Sequence, residues 1–147
     1  MMNFNMVTSE LELLGNSITS IELNNHIIDF NQDMEKSFGF DVKDIQIDRH
    51  DNKTVGRIQL NIRIEVINNG EARFELDMDL EGAFSTDADT DEDKFMRLLY
   101  INGVSALLGI ARGKIEGITA IAFRTGKISI PFVNVLDYYK EVTAKNN

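Results

Sequence analysis

The sequence predicts an α+β fold: an antiparallel sheet of about four strands, then a long helix and a C-terminal helix. Three observations carry this prediction. Two segments alternate strictly between apolar and polar residues. An Asn-Asn-Gly turn lies between them. After them comes a long segment whose apolar residues recur at helical spacing. Strands come first and helices after, which is the α+β order. No linker, repeat or low-complexity stretch divides residues 1–147, so one domain is expected.

The elements follow in chain order. Residues 1–16 are ambiguous. Ser9 to Leu14 reads as a helix turn or a leading strand, and Gly15-Asn16 is expected to end it. Ser17 to Ile28 is rich in β-branched residues, with Ile21 and Leu23 alternating with Ser20, Glu22 and Asn24, so a strand is expected. Residues 29–41 carry Phe30, Met34, Phe38 and Phe40 without a clean period, and read as a loop-like crossover. Val42 to Asp48 is a second strand, followed by a turn at His50-Asp51-Asn52-Lys53. The clearest pair is 57–66 and 73–81. Ile58, Leu60, Ile62, Ile64 and Val66 face one way in the first; Phe74, Leu76, Met78 and Leu80 do so in the second. Strict period two means one dry face and one wet face, and Asn68-Asn69-Gly70 suits a hairpin between them.

Thr90 followed by Asp93 predicts a capping box. Phe95, Leu98 and Leu99 open a helical pattern that Asn102-Gly103 is expected to interrupt. Val104, Leu107, Leu108, Ala111, Ile115, Ile118 and Ala122 then mark one face of a long helix, with Gly126 as its stop. Lys127 to Phe132 reads as extended around Pro131. Asn134 caps a final helix with Leu136, Tyr139 and Val142 on its stripe.

Composition narrows function. The formal charge is −9, which argues against a nucleic-acid binder, since affinity for phosphate is built from Lys and Arg. It argues equally against docking on anionic lipid. There are no cysteines, so no disulfide or thiolate metal site is expected. The two histidines, His26 and His50, share no metal-ligand spacing, and no metal or cofactor is expected. Met1 to Leu14 lacks the features of a signal peptide. Arg112, Lys114 and Glu116 interrupt the most apolar stretch, so no membrane insertion is expected and the cytoplasm is the expected location.

Candidate sites are few. The acidic run from Asp87 to Asp93 begins like a calcium loop, but Glu92 and Leu98 stand where an EF-hand needs Gly and Glu. Residues 71–93 hold ten carboxylates and one base, Arg73. This is either a solubilising sheet face or a docking face for a basic partner. Gly109, Gly113 and Gly117 form a ridge if the helix is continuous, and the helix of a partner subunit is its natural neighbour. The aromatics of the crossover and the element ends fit an apolar groove for extended chains.

Several segments resemble the SecB family of protein-export chaperones over roughly residues 17–140. These are the strand at Ser20-Ile21-Glu22, the Phe-containing crossover, and Glu81-Gly82-Ala83-Phe84 at the hairpin end. Ala111-Arg112 on the long helix and Ile130-Pro131-Phe132-Val133-Asn134 before the last helix complete the resemblance. The Asn and Pro of the family's helix signature are replaced by Ser105 and Gly109. The resemblance implies an ATP-independent holdase, not an enzyme, that binds unfolded preproteins and passes them to the SecA motor. It also implies a homotetramer, a dimer of dimers, whose oligomer interface would include Gly109, Gly113 and Gly117. By position, Glu22 and Asp77 match SecA-docking acids, while Ile18 stands at a second acidic position of the first strand. Phe38, Phe40, Phe84, Phe123, Phe132 and Tyr139 are inferred as the client-binding groove. Two alternatives remain open. One is a SecB-fold chaperone dedicated to a single client, an antitoxin or phage protein. The other is a hot-dog-like acyl-thioester enzyme with Glu116 as its carboxylate.

Overall fold

The computed structural model describes residues 10–50, 52–70, 72–87 and 90–145. The expectations at residues 1–9, Asp51, Glu71, Ala88 and Asp89 lie outside the described residues. Four strands, β1 (Glu12–Asn25), β2 (Glu35–Arg49), β3 (Lys53–Asn68) and β4 (Ala72–Asp87), are followed by α1 (Glu92–Leu98) and one π turn (Leu99–Gly103). Helices α2 (Val104–Ala122) and α3 (Val135–Lys145) complete the chain. The sheet is antiparallel throughout, in the order β1-β4-β3-β2. The β1–β2 connection therefore crosses from one edge of the sheet to the other.

The β3–β4 hairpin is built as its alternation predicts. Ile58, Leu60, Ile62, Ile64 and Val66 and, opposite, Phe74, Leu76, Met78, Leu80 and Phe84 are all buried. Onto this face pack Phe95, Leu99, Val104, Leu107, Ala111 and Ile115 from the helical half. The turn places Asn69 (φ 53°) and Gly70 (φ 76°) in the left-handed region that Asn and Gly tolerate best. At the other hairpin, His50 and Lys53 exchange backbone hydrogen bonds across the expected turn (2.8 and 3.3 Å).

Several local expectations are corrected. Gly15-Asn16 does not end β1; the strand runs through it, with irregular register between Leu13 and Gly15 and again between Ile18 and Ser20. β2 begins at Glu35, well before Val42. Asn102-Gly103 does not break the helix, which runs on through the π turn. Gly103 is there for close approach: a Cβ at this position would stand 2.7 Å from Ile58 Cδ1 on the sheet. Thr90 does not cap α1. The N-cap is Asp91, without a side-chain cap bond, while Glu92 and Asp93 supply first-turn acids that favour the helix dipole. Gly126 is not the stop of α2, which ends in an extended Phe123. The Asn134 cap is present: the backbone N–H of Asp137 donates to Asn134 Oδ1 at 3.1 Å.

The crossover is held at its midpoint. Phe30 stacks on Phe123 with ring centroids 5.3 Å apart. The Arg124 guanidinium grips the Asp29 carboxylate with two hydrogen bonds, and the Thr125 hydroxyl donates a third at 2.9 Å. These bonds hold the Asp29 carboxyl below its usual range, the Arg124 bond being the largest cause.

Candidate functional site

Edge strand β2 turns its apolar side chains toward the segment that joins α2 to α3. Phe38, Gly39 and Phe40 face Ile130, Pro131 and Val133 across an apolar cleft of about 210 Å³ floored by Ile62 and Leu108. A second cleft of about 260 Å³, lined by Ser105, Leu108, Gly109, Arg112, Phe132, Val133 and Val135, adjoins it. Leu108 and Val133 belong to both. The joining segment stays in place because Ile128 and Ile130 are buried and Arg112 donates to the carbonyls of Ile130 (3.0 Å) and Pro131 (3.1 Å). The Arg112 guanidinium also lies 4.1 Å from the centroid of the Phe132 ring. Phe132 is nevertheless 90% exposed. A large aromatic side chain is thus presented to solvent on a fixed backbone.

The opposite face of the sheet is polar. Residues paired across antiparallel strands share a face, so Glu22, Asp77, Arg63 and Gly39 form one row across all four strands. Glu75 and Glu65 stand in the next row, with Asp79 and Asn61 on the other side. Linear sequence overstates the negative charge here. Arg63 lies 3.6 Å from Asp77, Arg73 bridges Glu65 and Glu75, and Lys43 reaches Asp79 at 3.2 Å. Buried Asn61 donates to both Asp77 (2.6 Å) and Asp79 (2.8 Å). The Asn61 bond, then Lys43, holds the Asp79 carboxyl below its ordinary value of 3.8. The sign follows: this stabilisation is full above the ordinary carboxylate range and is lost as pH falls through the lowered folded value. Asp79→Asn is therefore expected to lower Tm at neutral pH and to flatten its fall toward about pH 3. Melting curves across that range check it; an acid limb as steep as that of the parent chain would refute the assignment.

No protein-family model and no curated relative matches the sequence. Solved structures do. A SecB-like chaperone of Mycobacterium tuberculosis, in complex with a ChAD peptide from the HigA1 antitoxin, superposes with a TM-score of 0.58 at 14% identity, covering 84% of this chain and 91% of that one. The fold is SecB-like. A protein of unknown function from Streptococcus agalactiae superposes at a TM-score of 0.47 with 11% identity, over 83% of this chain and 97% of the other.

Within this SecB-like fold the sequence-derived groove residues separate. Phe38 and Phe40 line the first cleft, and Phe132 lines the second. Phe84 and Phe123 are core residues, 2% and 3% exposed, and out of reach of a ligand in this arrangement. Phe123 packs between Phe30 and Phe74. Tyr139 is half-buried against Tyr100 and lines neither cleft, whereas its neighbour Tyr138 packs on Phe40 at 4.8 Å. Glu22 and Asp77 are direct partners across β1 and β4. Ile18 pairs with Leu80 and turns toward the core, so it belongs to the other face. Gly109, Gly113 and Gly117 are all exposed, and among the described residues a Cβ at each would meet nothing within 4 Å.

Glu116 is engaged in structure. It accepts a hydrogen bond from the Ser129 hydroxyl at 2.6 Å and pairs with Lys127 at 3.6 Å, and the Ser129 bond is the largest cause of its lowered pKa. Glu116 lines neither of the two clefts. Leu108, Ile130, Pro131 and Val133 escaped the sequence reading as groove residues. The alternation of Ile128 and Ile130 just before Pro131 was their available signal.

Proposed function

We propose that this chain is an ATP-independent holdase chaperone that binds extended, apolar segments of an unfolded protein along the two joined clefts. The observation that carries the reading is Phe132, largely exposed in the second cleft, which adjoins the apolar one. Burying such a side chain against a client yields roughly 2–3 kcal/mol without any chemical step. Release then needs only a competing partner. The SecB-like neighbour, solved with a peptide from an antitoxin, supports the chaperone role.

Two destinations for the client follow. In the first, preproteins pass to SecA in the cytoplasm, with Glu22 and Asp77 as part of its docking face. In the second, the chain serves one dedicated client. The antitoxin peptide on the neighbour favours the second, as do the bases that offset the acidic face. Size exclusion with light scattering tests the holdase itself. The purified chain, mixed without nucleotide with a chemically unfolded secretory-type protein, is expected to co-elute with it but not with the same protein folded. Failure to capture any unfolded chain, the dedicated client included, would overturn the reading. A SecA pull-down separates the two destinations.

The chain is further proposed to work as a dimer of dimers whose interface includes Gly109, Gly113 and Gly117. Each glycine costs about 1 kcal/mol in a helix interior relative to Ala, and none is explained by packing among the described residues. Leu13 and Ile21 of β1 and Ile121 of α2 are also exposed. Gly113→Leu is expected to reduce the native mass without lowering the far-UV helix signal. An unchanged mass would place the interface elsewhere.

A further inference from the structure

We propose that Asn69-Gly70, at the tip of the β3–β4 hairpin, is a site of spontaneous modification at which Asn69 becomes aspartate or isoaspartate. The Gly70 backbone nitrogen loses its proton and bonds to Cγ of Asn69, and the side-chain amide leaves as ammonia. Water then opens the resulting succinimide at either carbonyl. Water is the only co-reactant, and no oxidant or reductant is needed.

The chain holds two Asn-Gly pairs, and the fold treats them oppositely. Asn69 and Gly70 are both exposed, and a Cβ built on Gly70 would meet nothing within 4 Å. Among the described residues nothing crowds Gly70, whose nitrogen is the attacking atom. Beyond the tip, Asn68 and Ala72 already pair in the sheet, so only the turn has to move. Asn102-Gly103 lies in the π turn instead. Gly103 holds helical angles (φ −67°, ψ −49°) and is pressed against Ile58 and Phe84 of the sheet. There, ring closure requires the helix to lift from the core, and such opening is rare in a packed element.

The modification changes local charge. Asn69 shares a surface depression with Asp33 and Glu35, where the crossover enters β2. A carboxylate at position 69 adds a third negative group beside these two. An isoaspartate also lengthens the turn backbone by one methylene where two consecutive left-handed residues fix its geometry.

Tryptic mapping separates the sites, because Asn69 falls in Ile64–Arg73 and Asn102 in Leu98–Arg112. The whole chain would be incubated at mildly alkaline pH, folded and in urea, and both peptides followed by fragment mass spectra. In the folded chain, a gain of one mass unit with an isoaspartate fraction is expected at Asn69, at least about tenfold faster than at Asn102. In urea the two rates should converge. If Asn69 survives in the folded chain while the urea sample converts, or if both sites react alike when folded, the proposal is overturned.

Discussion

Phe132→Ala is expected to weaken binding of an unfolded client by roughly 30-fold while moving Tm by no more than about 3 °C. The two halves of this expectation have separate origins. The side chain is 90% exposed, so the fold spends almost nothing on it. It lies against Arg112, and an exposed cation–π contact contributes only about 0.5–1 kcal/mol. The Arg112 bonds to Ile130 and Pro131 use backbone carbonyls and survive the substitution. A client that covers the ring, by contrast, loses roughly 2 kcal/mol of burial when the ring is gone. Phe84→Ala supplies the contrast. That ring is buried in the core, and its removal should cost about 3–5 kcal/mol of stability. Fluorescence anisotropy of a labelled unfolded client, alongside melting curves, distinguishes the two variants. Equal client affinity for Phe132→Ala and the parent chain would remove this ring from the binding surface.

The separation of Phe132 from Phe84 and Phe123 shows what kind of information the sequence carries. Strict alternation made the β3–β4 hairpin legible, because both strands are central and one whole face is buried. β2 was half hidden because its parity changes. Phe38, Phe40 and Val42 face inward, register shifts between Val42 and Asp44, and Ile45 and Ile47 then continue on odd numbers. One irregularity at Lys43 thus erases the period that a strand reading depends on. β1 suffers the same loss at two places. Aromatics near element ends are ambiguous for a different reason. A ring at a strand end or just past a helix can turn into the core or out of it, and only the neighbour across space decides. Phe123 meets Phe30 and Phe74, more than forty positions away, whereas Phe132 lies exposed against the Arg112 guanidinium. Charge was misjudged along the same lines. Arg63 and Lys43 are distant in sequence from Asp77 and Asp79 but pair with them across the sheet. Arg112 was visible as a matching residue and as a charge interrupting the apolar stretch; its work of pinning the joining segment is a tertiary fact.

Gly126→Ala is expected to cost about 3 kcal/mol of stability, or roughly 10 °C in Tm. Two costs add at this position. Gly126 has φ +87°, a conformation that costs a residue with a Cβ roughly 1–2 kcal/mol. The added methyl would also stand 2.6 Å from the backbone carbonyl oxygen of Phe30 and 3.1 Å from its Cβ. A flexible side chain can swing aside, but this carbonyl cannot. Its neighbours are tied down: Phe30 N–H donates to the Thr125 carbonyl at 3.0 Å, and Arg124 N–H donates to that of Ile28 at 2.8 Å. Relief therefore means parting the crossover from the end of α2, where Phe30 stacks on Phe123. Gly70→Ala isolates the first cost. Its φ is +76° in open space, so the loss should stay near about 1 kcal/mol. Denaturant melts of both variants test the argument through their difference. If Gly126→Ala costs no more than Gly70→Ala, the contact with Phe30 yields without penalty, and the crossover is not the rigid strap that positions β2 and its cleft.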